Sequence, residues 1–133
     1  MRPLPVDPVE HLDAELAAAL AAARPLLARL LARRGGDPAA CIGLVVAEPG
    51  ATGACLLVSL VHMDDYRRMH RGVSTRSVPA GWPASYTPRV WARLEAAVAK
   101  AEAPRPPERL RVQVVSSAAV AVVDCDLRDP TPQ

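Results

Sequence analysis

The sequence predicts an α+β fold in which two main helices pack on one face of a mostly antiparallel, four-stranded sheet. Two long segments carry apolar residues every three or four positions, which is the pattern of a helix with one buried face. Four shorter runs rich in Val, Leu and Ile come in two pairs, each joined by a short turn-like segment. The order helix-strand-strand-helix-strand-strand buries these surfaces most simply as a two-layer sandwich within a single domain over residues 1–133.

The first helix is predicted to begin at Asp7 after a flexible tail, residues 1–6. Asp7 suits the N-cap, Pro8 suits the first helical position, and Glu10 can reach back to the N-cap amide. A stripe of leucines then continues to Gly35, where the helix is expected to end. Pro25 lies inside this stripe, and we expect it to kink or split the helix because proline removes a backbone hydrogen bond.

The first strand pair is predicted over residues 40–48 and 54–63, with the turn at residues 49–53. The Pro-Gly turn and the β-branched content favour an antiparallel hairpin. Both faces of the hairpin are apolar, so we expect it to lie centrally in the sheet. One face would then be covered by a helix and the other by a further surface, such as a second copy of the protein.

The second half of the chain begins with a short helix and a proline-rich loop over residues 73–87, which is long for a compact domain. Thr87 and Pro88 are predicted to start the second main helix, which continues to Ala101. Strands follow over residues 109–115 and 119–127, before a flexible tail at residues 128–133. Alternation in the first of these strands places Arg111 and Gln113 on a solvent-facing side.

Composition limits the classes of function. Fifteen Arg against one Lys, with no Phe or Asn, indicates the coding bias of a GC-rich genome, so abundant arginine is weak evidence for phosphate binding. The net charge of +2 is below that expected for a domain whose whole surface meets nucleic acid.

Cysteine usage and hydropathy predict a cytoplasmic protein. Cys41, Cys55 and Cys125 lie in apolar runs and form no C-x-x-C pair, so we expect buried, reduced thiols. The N-terminal segment lacks the apolar stretch of a secretory signal, and no uncharged apolar run is long enough to span a membrane.

The segment from His62 to Gly72 allows a structural and a functional interpretation. In the structural one, Asp64 caps a short helix and the basic residues lie in its last turn. In the functional one, His62 beside Asp64 or Asp65 is an acid–base pair, and His70 is a further candidate for catalysis. The spacing of these three residues matches no known metal site, so no metal and no cofactor is predicted, and an enzyme is not favoured.

The aromatic residues point to a contact surface. All four of them lie between residues 66 and 91, and Trp82 and Tyr86 fall in the long loop. Loop aromatics either plug an open end of the core or contact a ligand or partner, and the sequence leaves both interpretations open. With the neighbouring arginines they define the predicted binding residues, which are Tyr66, Arg67, Arg68, Arg71, Trp82 and Tyr86.

The leading prediction is therefore a small interaction or assembly module that self-associates, as a homodimer, and contacts a partner through the basic and aromatic surface at residues 62–91. An acidic protein partner fits that surface. One alternative is a small-molecule-binding protein or enzyme with a pocket around His62, His70, Trp82 and Tyr86. A second alternative is nucleic-acid binding through the arginine-rich segment 67–93, which is not favoured over a protein partner.

Overall fold

A computed structural model describes residues 14–48, 55–71 and 78–127 of the chain. In these ranges it contains four α-helices, one short 3-10 helix at Pro38–Ala40 and four β-strands. The helices are α1 (Ala14–Arg34), α2 (Met63–Met69), α3 (Pro88–Trp91) and α4 (Leu94–Ala101), and the strands are β1 (Cys41–Glu48), β2 (Cys55–His62), β3 (Leu110–Val115) and β4 (Val120–Cys125).

The strands form one mixed sheet in the order β2-β1-β3-β4. β1 is antiparallel to β2, with Cys41 opposite His62, and β3 is antiparallel to β4. β1 and β3 run parallel, and Gly43 lies opposite Val112 in that central pair. The predicted α+β class, with helices packed on a four-stranded and mostly antiparallel sheet, is confirmed.

The number of layers differs from the predicted two, because helices cover both faces of the sheet. α1 packs on one face, over a cluster that includes Leu27, Val45 and Val112. α2, α3 and α4 pack on the other, over a second cluster that includes Ile42 and Leu44. Successive residues of β1 point to opposite faces and are all apolar up to Ala47, so a single helical layer would leave one side of the strand in water.

The first hairpin also lies differently from the prediction. β1 and β3 are central and almost entirely buried, whereas β2 is an edge strand on which buried, half-buried and exposed residues are mixed. Cys55 is exposed, although it was predicted to be buried, while Cys41 and Cys125 are buried as predicted. The apolar content of β2 could not show that one of its backbone edges stays open.

A glycine sets how closely α1 approaches the sheet. A Cβ atom on Gly43 would lie only 2.9 Å from Leu27 Cδ2, so the missing side chain leaves room for that leucine. α1 is one continuous helix through Pro25, which is exposed, and the predicted split does not occur. The tight packing of the helix around Ala23 and Leu27, both fully buried, favours continuity over a break.

The second predicted helix is divided into two short ones. Thr87 is the N-cap of α3, as predicted, and its hydroxyl accepts a hydrogen bond from the Val90 amide at 3.2 Å. The chain turns at Ala92 and Arg93 before α4 begins. The apolar stripe continues across that turn, which is why the sequence predicted one helix.

Arg111 and Gln113 are buried, contrary to the predicted solvent-facing side of β3. The helices α2 and α4 cover that side, and the side chains of Arg111 and Gln113 both have hydrogen-bond partners. Arg111 forms a two-bond ion pair with Asp124 on β4, at 2.8 and 3.0 Å. It also donates to four carbonyl oxygens at the end of α4, those of Lys100, Ala101, Ala103 and Pro104. Arg111 thus caps α4 and ties it to the sheet.

Some predictions fall outside the described residues. These are the helix start at Asp7, the tails at 1–6 and 128–133, the turn at 49–53, and residues 72–77, which include the first part of the long loop. In the part of the chain that the structure does describe, no helix is long and apolar enough to cross a membrane.

Candidate functional site

The four aromatic residues converge on the sheet face that α2, α3 and α4 cover. The ring centroids of Trp82 lie 5.2 Å from Trp91 and 4.9 Å from Tyr86, both in edge-to-face geometry. His70 joins the cluster, 4.3 Å from Tyr66 and 5.6 Å from Trp82. The structure therefore brings together Tyr66, His70, Trp82 and Tyr86, which the sequence placed on separate segments.

Two hydrogen bonds hold the segment that carries Trp82 against the end of β1. The hydroxyl of Ser85 donates to the carbonyl oxygen of Ala47, and the Ser85 amide donates to Glu48 Oε2 at 2.9 Å. Ser85 is fully buried. Because this anchor lies between Trp82 and Tyr86, it fixes both rings over the sheet.

A buried polar network lies beneath the aromatic rings, centred on Gln113 of β3. The hydroxyl of Tyr66 donates to Gln113 Oε1 at 2.6 Å, and Gln113 Nε2 lies 3.4 Å from both Tyr86 Oη and His70 Nε2. His70 Nδ1 is 3.1 Å from the carbonyl oxygen of Tyr66. A carbonyl can only accept, so Nδ1 carries the proton and Nε2 accepts from Gln113.

Burial determines the protonation of this network. Desolvation lowers the pKa of His70, so the imidazole is neutral, in agreement with its hydrogen bonds. Desolvation also raises the pKa of Tyr86 to about 12, and that of Tyr66 moves in the same direction. All three groups are uncharged near neutral pH, and their role in this geometry is to hold the aromatic rings in place.

An apolar groove of about 380 Å³ opens next to the aromatic cluster. It is lined by side chains from β1 and β2, among them Leu44 and Leu57, and by Met69 and Trp82. Leu57 and Met69 are 46% and 39% exposed, which is high for such large apolar side chains. The sequence left open whether Trp82 plugs the core or contacts a ligand or partner. In the structure Trp82 packs on the core and also lines the groove.

His62 lies away from this groove, at the other end of α2. It is the N-cap of α2, a position that was predicted for Asp64, and its Nδ1 accepts a hydrogen bond from the Asp64 amide at 3.0 Å. Its side chain is 52% exposed. His62 Nδ1 lies 3.5 Å from Asp64 Oδ2, but His70 is buried in the aromatic cluster. The structure thus does not bring the three candidate catalytic residues together.

The predicted basic surface is largely neutralised by neighbouring acids. Arg67 is held by Asp64 at 2.7 Å and by two bonds to Glu102, and Arg68 pairs with Asp65. Glu102 follows α4 and lies far from Arg67 in sequence, so local charge counting could not find this pair. Arg71 is exposed.

The open edge of the sheet is a feature that sequence reasoning missed. No described strand pairs with the outer edge of β2, whose eight residues, CLLVSLVH, include no Asp, Glu, Lys, Arg or Pro. On the α1 side of this edge is a second shallow cavity of about 240 Å³, lined by Val58 of β2 and by Leu26, Arg29, Leu30 and Arg33 of α1. The edge is thus flanked by an apolar groove on one face and by a mixed apolar and basic cavity on the other.

Among the described residues, no group of three or more His, Cys, Asp or Glu side chains is placed to hold a metal ion. Comparisons with models of protein families, with curated proteins and with solved structures found no match.

Proposed function

We propose that this protein is a small interaction module that binds an extended segment of another chain along the open edge of β2. The observation that carries this proposal is that β2 contains no Asp, Glu, Lys or Arg and that none of the described strands pairs with its outer edge. Soluble proteins usually protect such an edge with charged residues, proline or a covering element. Neither a charged residue nor a proline is present within β2, whereas the other edge strand, β4, carries Asp124.

An added strand would find contacts for its side chains on both faces of the sheet. Its backbone would pair with the outer amide and carbonyl groups of β2, which gives affinity without sequence preference. Alternate side chains would point to opposite faces. One set would reach the groove beside Leu57, Met69 and Trp82, and the other set would reach the cavity beside Leu26 and Val58.

The segment 62–91 contributes aromatic and apolar groups to this surface rather than charge. Met69, Trp82 and Tyr86 line the groove, while Arg67 and Arg68 are engaged with acids of the same chain. This arrangement supports an apolar, strand-forming partner more than an acidic protein or a nucleic acid. Localisation in the cytoplasm belongs to the same proposal, because all three cysteines are free thiols and two of them are buried.

A photoreactive amino acid placed at position 57 tests the proposal. We expect ultraviolet light to crosslink the protein, at this position, to a partner that contacts β2. The matched control carries the same photoreactive residue at Ala96, an exposed position on α4 away from the groove. Crosslinks that form from position 57 and not from position 96 support edge recognition. Equal yields from the two positions, or no product from position 57, would contradict it.

The volume of the groove supports a second candidate, the binding of a small uncharged aromatic molecule. Ligand sites usually enclose about 300–1,000 Å³ and are mostly apolar, and the groove of about 380 Å³ falls in that range. Titration of the labelled protein with naphthalene, followed by NMR, tests this candidate. Saturable shifts confined to Leu44, Leu57, Met69 and Trp82 would support it, and shifts spread over the surface would count against it.

A further inference from the structure

The two faces of the sheet at the β2 edge require different side chains in the segment that binds there. We propose that this segment alternates apolar and acidic residues, with the apolar side chains in the groove beside Leu57 and the carboxylates beside Arg29 and Arg33 of α1. This inference rests on the proposed function, since it specifies the chemistry of the partner at the same open edge.

Successive residues of β2 line different depressions. Leu57 and Ser59 line the groove, whereas Val58, between them, lines the cavity that β2 shares with α1. A strand paired with β2 continues the pleat, so its side chains alternate between the same two faces. A residue opposite Val58 would have its Cβ about 4.5–5.5 Å from that of Val58. One set of alternate side chains therefore reaches the groove, and the other set reaches the cavity.

The groove side suits apolar side chains. None of the residues that line it is charged. A carboxylate or an ammonium group placed there would lose water without gaining an opposite charge, which is unfavourable. Leu57 and Met69 are both exposed, and an apolar side chain of the partner would cover them. The flexible side chain of Met69 can adapt to aliphatic or aromatic groups of different shape.

The cavity on the α1 side is lined by two arginines and three apolar residues. Arg29 and Arg33 lie about one helical turn apart and are both exposed, and Leu26, Leu30 and Val58 are the other lining residues. Like charges four residues apart destabilise a helix slightly. A carboxylate beside both guanidinium groups would offset that repulsion, and it can accept a two-bond contact from either arginine.

The described part of the chain supplies no acid to these arginines. Neither Arg29 nor Arg33 forms an ion pair with a described residue, whereas Arg111 does. Glu15 is the one acidic residue of α1, and it precedes Arg29 by about four helical turns. Asp37, the next acid along the chain, caps the 3-10 helix instead. Charge complementarity therefore favours acidic side chains on this face of the partner.

Fluorescence anisotropy with labelled peptides tests the inference. Each peptide has eight residues, the length of β2. One alternates leucine with glutamate and the other alternates leucine with lysine, so both carry the same apolar set. Because the pattern repeats every two residues, each peptide can take a register that directs its leucines to the groove. We expect the glutamate peptide to bind about tenfold more tightly, with a difference that decreases in high salt.

Charge reversal at the two arginines should reverse this preference. The variant R29E/R33E should bind the lysine peptide about tenfold more tightly than the glutamate peptide, because the cavity then carries negative charge. Circular dichroism shows whether the variant folds. If it does not fold, R29Q/R33Q removes the charges more mildly and should bring the affinities of the two peptides to within about threefold.

The matched control is R34E/R89E. It changes the net charge by the same amount as R29E/R33E, since each variant replaces two arginines with two glutamates. Arg34 lies at the same end of α1 as Arg33, and Arg89 lies on α3. Both are exposed, and neither lines the cavity. This control should keep the preference for the glutamate peptide.

A third peptide, which alternates serine with glutamate, tests the apolar set. It keeps the acidic charges but has no side chain that suits the groove. We expect it to bind about tenfold or more weakly than the leucine–glutamate peptide. Equal affinities of these two peptides would show that charge alone is recognised, which would overturn the proposed alternation.

The remaining outcomes distinguish this inference from the proposed function. Equal binding of the glutamate and lysine peptides, with crosslinks from position 57, would overturn the acidic set and leave edge recognition standing. A preference for glutamate that persists in R29E/R33E would overturn the role of the cavity arginines. Absence of binding by every peptide would also overturn the inference, and a dimer in sedimentation would then point to a second copy as the occupant. In that case the crosslinking at position 57 decides independently whether the edge binds another protein.

Discussion

The hydrogen bond between Tyr66 and Gln113 should make a measurable contribution to stability, and the two residues should be energetically coupled. Tyr66→Phe removes the donor of the 2.6 Å bond and leaves Gln113 Oε1 buried without it. An unsatisfied buried polar group costs about 1–3 kcal/mol. Gln113→Leu should cost more, since it leaves both the Tyr66 hydroxyl and His70 Nε2 without their present partner. In the Gln113→Leu background, Tyr66→Phe removes an orphaned hydroxyl and should cost about 1 kcal/mol or less.

Denaturant unfolding of the four proteins gives the coupling free energy as a double-mutant cycle. We expect about 1–2 kcal/mol, because residues that share a buried hydrogen bond are not additive. The control cycle pairs Tyr66→Phe with Leu60→Ala, which is buried in the core cluster on the opposite face of the sheet, and should be additive to within about 0.5 kcal/mol. If the Tyr66 and Gln113 losses also add to within that margin, the network does not act as a unit and our account of the fixed aromatic rings is wrong.

Two further predictions concern buried ionisable side chains, His70 and Arg111. The lowered pKa of His70 means that the unfolded chain binds a proton at a higher pH than the folded chain does, so the free energy of unfolding should be constant above about pH 6.5 and should fall as the pH is lowered toward the folded pKa. His70→Leu should reduce this pH dependence, and an unchanged profile in urea titrations at several pH values would refute the assignment. Arg111→Met should destabilise the fold by about 3–5 kcal/mol because it leaves Asp124 and several carbonyl oxygens without their donor. Arg111→Lys should recover only part of that loss, and full recovery in thermal melts would show that charge alone, without the two-bond geometry, is sufficient.

The local signals in the sequence were sufficient for the class of fold. The Thr87–Pro88 helix start and the apolar runs of β1 and β2 depend on neighbouring residues, and the structure confirms them. The aromatic residues between 66 and 91 also showed where a contact surface was to be expected. Their convergence depends on Ser85, whose bonds to Ala47 and Glu48 cross 38 and 37 positions of sequence, respectively.

What the sequence could not determine is which polar residues are buried and which edge of the sheet stays open. Gln113 and Arg111 alternate with apolar residues in the manner of a strand with one wet side, and only the packing of α2 and α4 buries them. β2 is as apolar as a central strand, and only the order β2-β1-β3-β4 leaves its outer backbone groups unpaired among the described residues. The amino-acid pattern along a chain reports local periodicity, whereas burial and edge exposure depend on contacts between distant segments. Only the tertiary structure supplies those contacts.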